Sequence, residues 1–329
     1  MVFSLLMKLA TVFPILLACS SQTSGSDTPD AKVEIDIDAQ VACTEEPCLD
    51  LPLMGFQVRS TGTEIAAGQD VEYCEIAQLP GDASDTYYVT GFETKMTSGS
   101  HHLIVAAVEA GNEAGLTIGQ RYNCVGPSLP GGGDALIAVT GAQQPYSRED
   151  YPAGIGRVYT GGQFLVMNYH YLNASEAAIE ARSAVNFHLG GEEDIAHIAG
   201  SIGFYNFLIN TPAGQSGSFT KSCTFDKDAM VFQLTRHTHQ WGTDFPVRYK
   251  GGSKDGELIY TSPNYEDADH SFDEPVLIKA GEGFEWTCNY QNTTDSSLRF
   301  GVTASDEMCI LFGQIYDPET LMPTDQNCN

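Results

Sequence analysis

Eight histidines stand in the chain, at positions 101, 102, 170, 188, 197, 237, 239 and 270, and three of their settings could hold a metal. Leu234-Thr-Arg-His237-Thr-His239-Gln-Trp241 carries two imidazoles at i and i+2 in a strand-like run. Alternate residues of a strand share a face, so His237 and His239 can address one ion. For the motif alone, two hydrogen-bonded histidines on a sheet are the commoner outcome. Ser100-His101-His102-Leu103 enters an apolar run with neighbouring imidazoles. Neighbours in a strand point apart, so both can reach one ion only at a strand end or a bulge. His170 closes the run Phe164-Leu-Val-Met-Asn-Tyr-His170, and alone it reads as structural. Imidazole suits zinc, copper, iron and nickel, and a thioether shifts the preference to copper, above all Cu(I). Met308, in Asp306-Glu-Met308-Cys309, offers that thioether, although a core methionine is the commoner role.

The elements that must position these side chains are strands. Short apolar or alternating runs lie at 102–108, 162–170, 229–239, 257–261, 275–279, 284–290 and 298–303, broken by Gly, Pro, Asn and Asp. These are strand lengths with turn signals between them. Only 176–182 has the pattern of a short helix. The fold class is all-β, of sandwich or barrel type. At roughly 150 residues per domain, 329 residues suggest two domains, with a boundary near Ile198–Ile202. The acidic run Glu266–Glu274 around His270 reads as a solvated turn, and its spacing does not match an EF-hand loop. His188 and His197 receive no role.

Lys and Arg total 16 against 43 Asp and Glu, a net charge of −27. That balance opposes a nucleic-acid partner, which needs a basic patch, and opposes docking on anionic lipid. Residues 1–18 read as a secretion signal, too short in apolar length to span a bilayer. Leu16-Leu-Ala-Cys19 resembles a bacterial lipobox, which would make Cys19 the lipidated mature N-terminus and 19–40 a polar tether. Ser20 suits outer-membrane sorting, so the expected location is a lipid anchor facing the periplasm or the cell surface. Setting Cys19 aside, eight of the nine cysteines remain. An even count in an exported protein reads as disulfides, with too many pairings for sequence to choose. No CxxC spacing occurs, which opposes a zinc ribbon or a thioredoxin-like site.

Taken in order, the HH pair, a later YH, then HTH and DEMC resemble the copper type II, ascorbate-dependent monooxygenases, the family of peptidylglycine α-hydroxylating monooxygenase and dopamine β-monooxygenase. The resemblance runs from about Leu51 to Cys328, and it is the joint occurrence of the motifs that makes it specific. It implies two tandem antiparallel, jelly-roll-like β-sandwiches, 41–199 and 200–329, with a solvent-filled cleft between them. It implies two copper ions per chain. His101, His102 and His170 would hold the one that stores and passes an electron. His237, His239 and Met308 would hold the one where dioxygen and the substrate C–H bond react. It also implies disulfides Cys74–Cys124, Cys223–Cys328 and Cys288–Cys309, which leaves Cys43–Cys48 as a local loop.

Two departures bear on substrate. Family members that act on peptidylglycine hold the substrate carboxylate with an Arg two positions before HTH and with an Asn and a Tyr just beyond the Met. Those positions are Thr235, Ile310 and Phe312 here. Arg236 lies on the opposite strand face from His237 and is a poor replacement. The expectation is a small aliphatic or aromatic substrate without a clamped carboxylate, hydroxylated with dioxygen and with electrons from ascorbate or another one-electron reductant. A Gln found two positions before the third His in some members is Asn168 here. Two other classes compete: a non-catalytic copper-binding or delivery lipoprotein using the same ligands, and a β-sandwich binding module with incidental histidines.

Overall fold

A computed structural model describes residues 43, 45–133, 135–264, 269–301, 303, 305–320 and 325–328. The signal segment, Cys19 and the tether to residue 40 lie outside the described residues. The described residues are strands and turns without an α-helix; Glu192–Asp194 and Gly252–Lys254 are single 3-10 turns. No described helix is long and apolar enough to cross a membrane.

Three sheets carry the architecture. A five-stranded sheet runs in the order Arg121–Asn123, Asp70–Gln78, Phe164–Leu172, Ser100–Val108, Leu136–Ala142. A four-stranded sheet runs Ser216–Thr224, Gly283–Gln291, Gly242–Lys250, Leu258–Ser262. Between them lies a ten-stranded sheet that belongs to both halves of the chain. Its halves join where Gly154–Thr160 pairs in parallel with Ile195–Tyr205. The segment 198–202 therefore lies inside one continuous strand that also pairs with Ile310–Tyr316.

Alternation explains the layers. In Ser100–Val108 the odd residues Leu103, Val105 and Ala107 enter a core with Val89, Phe92, Val185 and Phe187 of the large sheet. A second core joins Phe204, Val231, Leu234 and Leu311 of the large sheet to Phe245, Val247, Phe284 and Trp286 of the four-stranded sheet. Truncating a fully buried aromatic such as Phe187 or Trp286 would cost about 3–5 kcal/mol. The even residues of Phe164–Leu172 and Asp70–Gln78 face the other way, where Cys74, Ile76 and Val166 form a small third core. That outer face also carries His102, Asn168 and His170.

All four expected disulfides form: Cys43–Cys48, Cys74–Cys124, Cys223–Cys328 and Cys288–Cys309. Four disulfides point to an oxidising, extracellular environment. Cys223–Cys328 closes 105 residues of chain, a loop for which a crosslink is worth about 2–5 kcal/mol.

Two local expectations need correction. Residues 176–182 form no helix. Asn173 instead closes an Asx turn, accepting from the Ser175 amide at 3.0 Å and donating to the Ala177 carbonyl at 2.8 Å. Ile179–Ala181 then pairs as a strand with Thr63–Ile65. The described part of the acidic run is likewise strand rather than turn. Asp269–Ile278 pairs with Ala229–His237, and the His270 ring stacks on Tyr260 at 4.8 Å.

Candidate metal centre

The first cluster is built on the outer face of the five-stranded sheet. His102 and His170 are directly opposite in neighbouring strands. The register between those strands shifts immediately beyond His170, with Tyr171 facing Ser100. His101 is the extra residue of that bulge. The bulge turns it to its neighbour's side, which regular alternation would forbid. The ligand-type atoms of His101, His102 and His170 all lie within 4.8 Å of one another, and the Nδ1 atoms of His101 and His102 are 3.2 Å apart.

Ring orientation follows from acceptor-only partners. The Asp70 carboxylate receives the His170 Nε2–H at 2.5 Å. Asn168 commits its Nδ2 to Glu72 Oε1 at 2.8 Å, so its Oδ1 accepts from His102 Nε2–H at 3.2 Å. Both rings thus keep Nδ1 as a lone pair. Burial would raise the Glu72 carboxyl, but hydrogen bonds from His102, Asn168 and the Gly126 amide hold it below the ordinary value. His101 is pushed down to about 3, first by burial and then by the neighbouring imidazoles of His102, His170 and His239. It is therefore neutral at pH 7, as metal binding requires.

The second cluster uses one strand end and two loops. The strand Ala229–His237 stops at His237, so strand alternation does not place His239. Glu307 does so: its carboxylate accepts the backbone amides of His239 and Trp241, each at 2.8 Å, and of Met308 at 3.2 Å. One buried side chain thereby ties the HTH loop to the methionine. Burial raises Glu307 to about 7 against those three bonds. His239 Nδ1–H donates to the Asp306 carbonyl at 2.9 Å. His237 Nδ1–H donates to Gln143 Oε1 at 2.9 Å, and Gln143 in turn donates to the Arg236 carbonyl at 3.2 Å. Both rings keep Nε2 as a lone pair, and that of His237 faces Met308 Sδ at 3.2 Å. Two electron-pair donors at that separation are the arrangement a soft cation would accept. His237 is held far below, and His239 below, the ordinary histidine value, chiefly by burial.

The six residues singled out in the sequence therefore form two groups. The groups adjoin rather than face each other across open solvent: the His101 and His239 rings are 5.7 Å apart. His188, His197 and His270 stand elsewhere, beside Glu93, Tyr316 and Tyr260. Arg236 points away from the cluster, as strand alternation requires. Fully buried, it donates to the Ser262 carbonyl at 2.7 Å and to Thr238 Oγ1 at 2.6 Å.

A cavity of about 470 Å³ opens on His102 and His237 together. Leu103, Ile104, Val139, Ile202 and Phe312 give it apolar walls, and Thr235 lines it as well. Ile310 is buried at the start of its strand, opposite His237, and is not among the lining residues. Arg157, Gln314 and Glu149 make a polar end, where Arg157 Nη2 donates to Gln314 Oε1 at 2.8 Å. Burial pushes Glu149 up to about 7, Arg157 opposes the shift, and Asp269 adds to it.

Sequence reasoning missed Asp70, Glu72, Gln143 and the role of Glu307. The first two had a signal: acids at i and i+2 in the strand Asp70-Val-Glu72-Tyr share a face that should have been apolar. Glu307 was inside a quoted motif. Gln143 had none, because its partner is 94 residues away.

The donor chemistry fits copper: three imidazoles at one cluster, two imidazoles and a thioether at the other, with the tautomers of four of the five imidazoles already set. Comparison with curated proteins gives no match. Among solved structures, the STIV MCP superposes with a TM-score of 0.32 at 9% identity, over 80% of this chain and 96% of that one. PNGF-II gives 0.25 at 11% identity, over 79% and 59%. Likeness at that level carries no argument. Residues 207–328 match the family model of the copper type II ascorbate-dependent monooxygenase, C-terminal domain, and this match supports the copper type II monooxygenase family for the chain.

Proposed function

We propose that the protein is a copper monooxygenase that hydroxylates a C–H bond of a small organic substrate. The observation that carries this reading is that both clusters meet at one largely apolar cavity, which His102 and His237 line together. A buffer or delivery protein needs ligands but no such chamber. Copper bound at the two clusters would supply one-electron redox chemistry and activation of dioxygen. In balance, dioxygen, two electrons and two protons convert R–H to R–OH and water, the electrons coming from an external one-electron reductant such as ascorbate.

The chain's own part is to bind and orient. Leu103, Ile104, Ile202 and Phe312 would hold an apolar substrate body and exclude water. His237, His239 and Met308 would hold the metal that reacts with dioxygen, and His101, His102 and His170 the one that stores an electron. With Thr235 and Phe312 in the cavity wall, where a peptidylglycine enzyme has an Arg and a Tyr, a glycine-extended peptide is not the substrate. We place the two copper units in 41–199 and 200–329. We also take the protein to be exported and anchored to a bacterial outer membrane through lipidated Cys19, its only link to a membrane.

The test is an untargeted product screen with isotopically labelled dioxygen, using copper-loaded protein and ascorbate. Label in an organic product is expected, with two coppers per chain. Two bound coppers with no label in any product would leave the copper-delivery reading; no bound copper would overturn both.

A further inference from the structure

The four cluster imidazoles whose second nitrogen has a visible acceptor divide by cluster. In the first, His170 donates to the Asp70 carboxylate at 2.5 Å, and His102 donates to Asn168, which donates on to Glu72. Glu72 Oε1 itself stands 3.8 Å from His102 Nε2. In the second, His237 donates to an amide oxygen and His239 to a backbone carbonyl, both neutral. Asp70 and Glu72 lie at i and i+2 on the strand Asp70–Gln78, with Glu72 directly opposite His170 and Asp70 opposite Leu172. One edge of one strand therefore brings negative charge to both rings.

We propose that Asp70 and Glu72 are positioning residues that set the redox difference between the two clusters, a proposal that rests on the copper reading above. A carboxylate that accepts an imidazole N–H pulls the proton toward itself and leaves the ring a stronger electron donor. A stronger donor favours the more highly charged oxidised metal. At the second cluster, neutral acceptors and the Met308 thioether act in the opposite sense and favour the reduced metal. A single electron would then run downhill from the His101/His102/His170 group to the His237/His239/Met308 group across adjoining rings. The 5.7 Å between His101 and His239 leaves no wide solvent gap to cross. Asn168 is part of the device, since its amide links Glu72 to His102 alongside the direct 3.8 Å contact between the two.

The test is Asp70→Asn and Glu72→Gln, singly and together, with the reduction potential of each copper as readout. The amides keep size and an acceptor oxygen, so ring orientation survives while the charge goes. Each loss is expected to shift the Cu(II)-over-Cu(I) preference of the first site about tenfold toward Cu(I). That is ~59 mV upward for a one-electron couple. The second-site potential should stay put, and Asn168→Ala should give a smaller shift of the same sign as Glu72→Gln at the first site, because the direct His102–Glu72 contact remains. First-site spectra measured in Met308→Ala would isolate that copper. Unchanged first-site potentials in variants that bind copper normally would overturn the proposal and leave the copper reading intact. Equal shifts at both sites would also overturn it. Wild-type protein that binds no copper would overturn the proposal and the reading together.

Discussion

His102 and His170 sit on adjacent strands of one sheet, and the strand next to them supplies Asp70 and Glu72, so the first cluster and its supports share a single hydrogen-bonded ladder. His237 stands at a strand end, His239 in the loop after it, Met308 in another loop, and the residue that orients His237 is Gln143 from the opposite half of the chain. The first cluster is therefore as rigid as its sheet. The second exists only while three separate segments keep their places. Ladders in a sheet core open at close to the cost of global unfolding, whereas loops open at lower cost. Under the proposed function, storage of an electron suits the first construction, and admission of dioxygen and substrate suits the second.

The strongest way to break this comparison is to remove Met308. Met308→Ala should reduce hydroxylation to background, a loss of about 10³-fold or more on the scale of a missing catalytic group. The His101/His102/His170 copper should stay bound, because none of its supports touches Met308. Copper content and turnover, measured on the same sample, check this. Activity surviving the substitution would remove the assignment of that site.

Gln143→Ala asks whether the second cluster depends on the other half of the chain. It deletes the acceptor for His237 Nδ1–H and the bond to the Arg236 carbonyl. Loss of such an orienting partner typically costs about 10–100-fold in metal affinity. Copper titration should show the His237/His239/Met308 site weakened and the three-histidine site unmoved. A uniform loss at both sites would mean that Gln143 serves the fold rather than His237.

The same contrast explains how much was legible in the sequence. Strand runs were readable because alternation is local, and the HH pair was readable down to its bulge, since neighbouring strand residues cannot otherwise converge. The six clustered residues themselves were found by motif. Their supports were less visible. Glu307 acts on backbone amides that no side-chain pattern reveals, and Gln143 acts across sequence-distant strands. The 176–182 segment was misread because Asn173 spends its side chain on a turn, a tertiary choice that a helical pattern does not register. The adjoining of the two clusters was not readable either. It depends on a large sheet that runs through both halves, joined by one parallel pairing at Gly154–Thr160.

A smaller effect concerns the cavity between the clusters. Glu149 sits at about 7 against an ordinary carboxyl value of 4.5, so folding takes up a proton between those values. Its share of stability is whole below pH 4.5 and is lost as pH rises through 7. Buried Glu307 behaves alike. His101, His237 and His239, held low by burial, act in the opposite sense up to about pH 6.5, so the carboxyl effect is read as the difference in pH dependence between copper-free wild type and Glu149→Gln. Between pH 4.5 and 7, Glu149→Gln should fall in stability less steeply than wild type by about 1.4 kcal/mol per pH unit in denaturant titrations. An unchanged slope would place Glu149 in contact with water or with a closer cation than Arg157.

The smallest effect comes from the net charge of −27. None of the six cluster residues is acidic, so this charge is not spent on holding the metals. It still surrounds both clusters with a negative field, and that field slows the approach of an anion such as ascorbate. Salt screens the field over about 8–10 Å near physiological ionic strength. Reduction by ascorbate should therefore speed up with added salt, while reduction by a neutral donor should not. The three-histidine cluster should show the larger salt effect, because Asp70 and Glu72 stand against its rings, whereas Glu307 at the second cluster is raised to about 7 and only partly charged. Stopped-flow reduction with both donors, in wild type and in Asp70→Asn, separates the local charges from the global one. If the ascorbate rate is flat in salt, the acidity of this chain has no part in electron delivery.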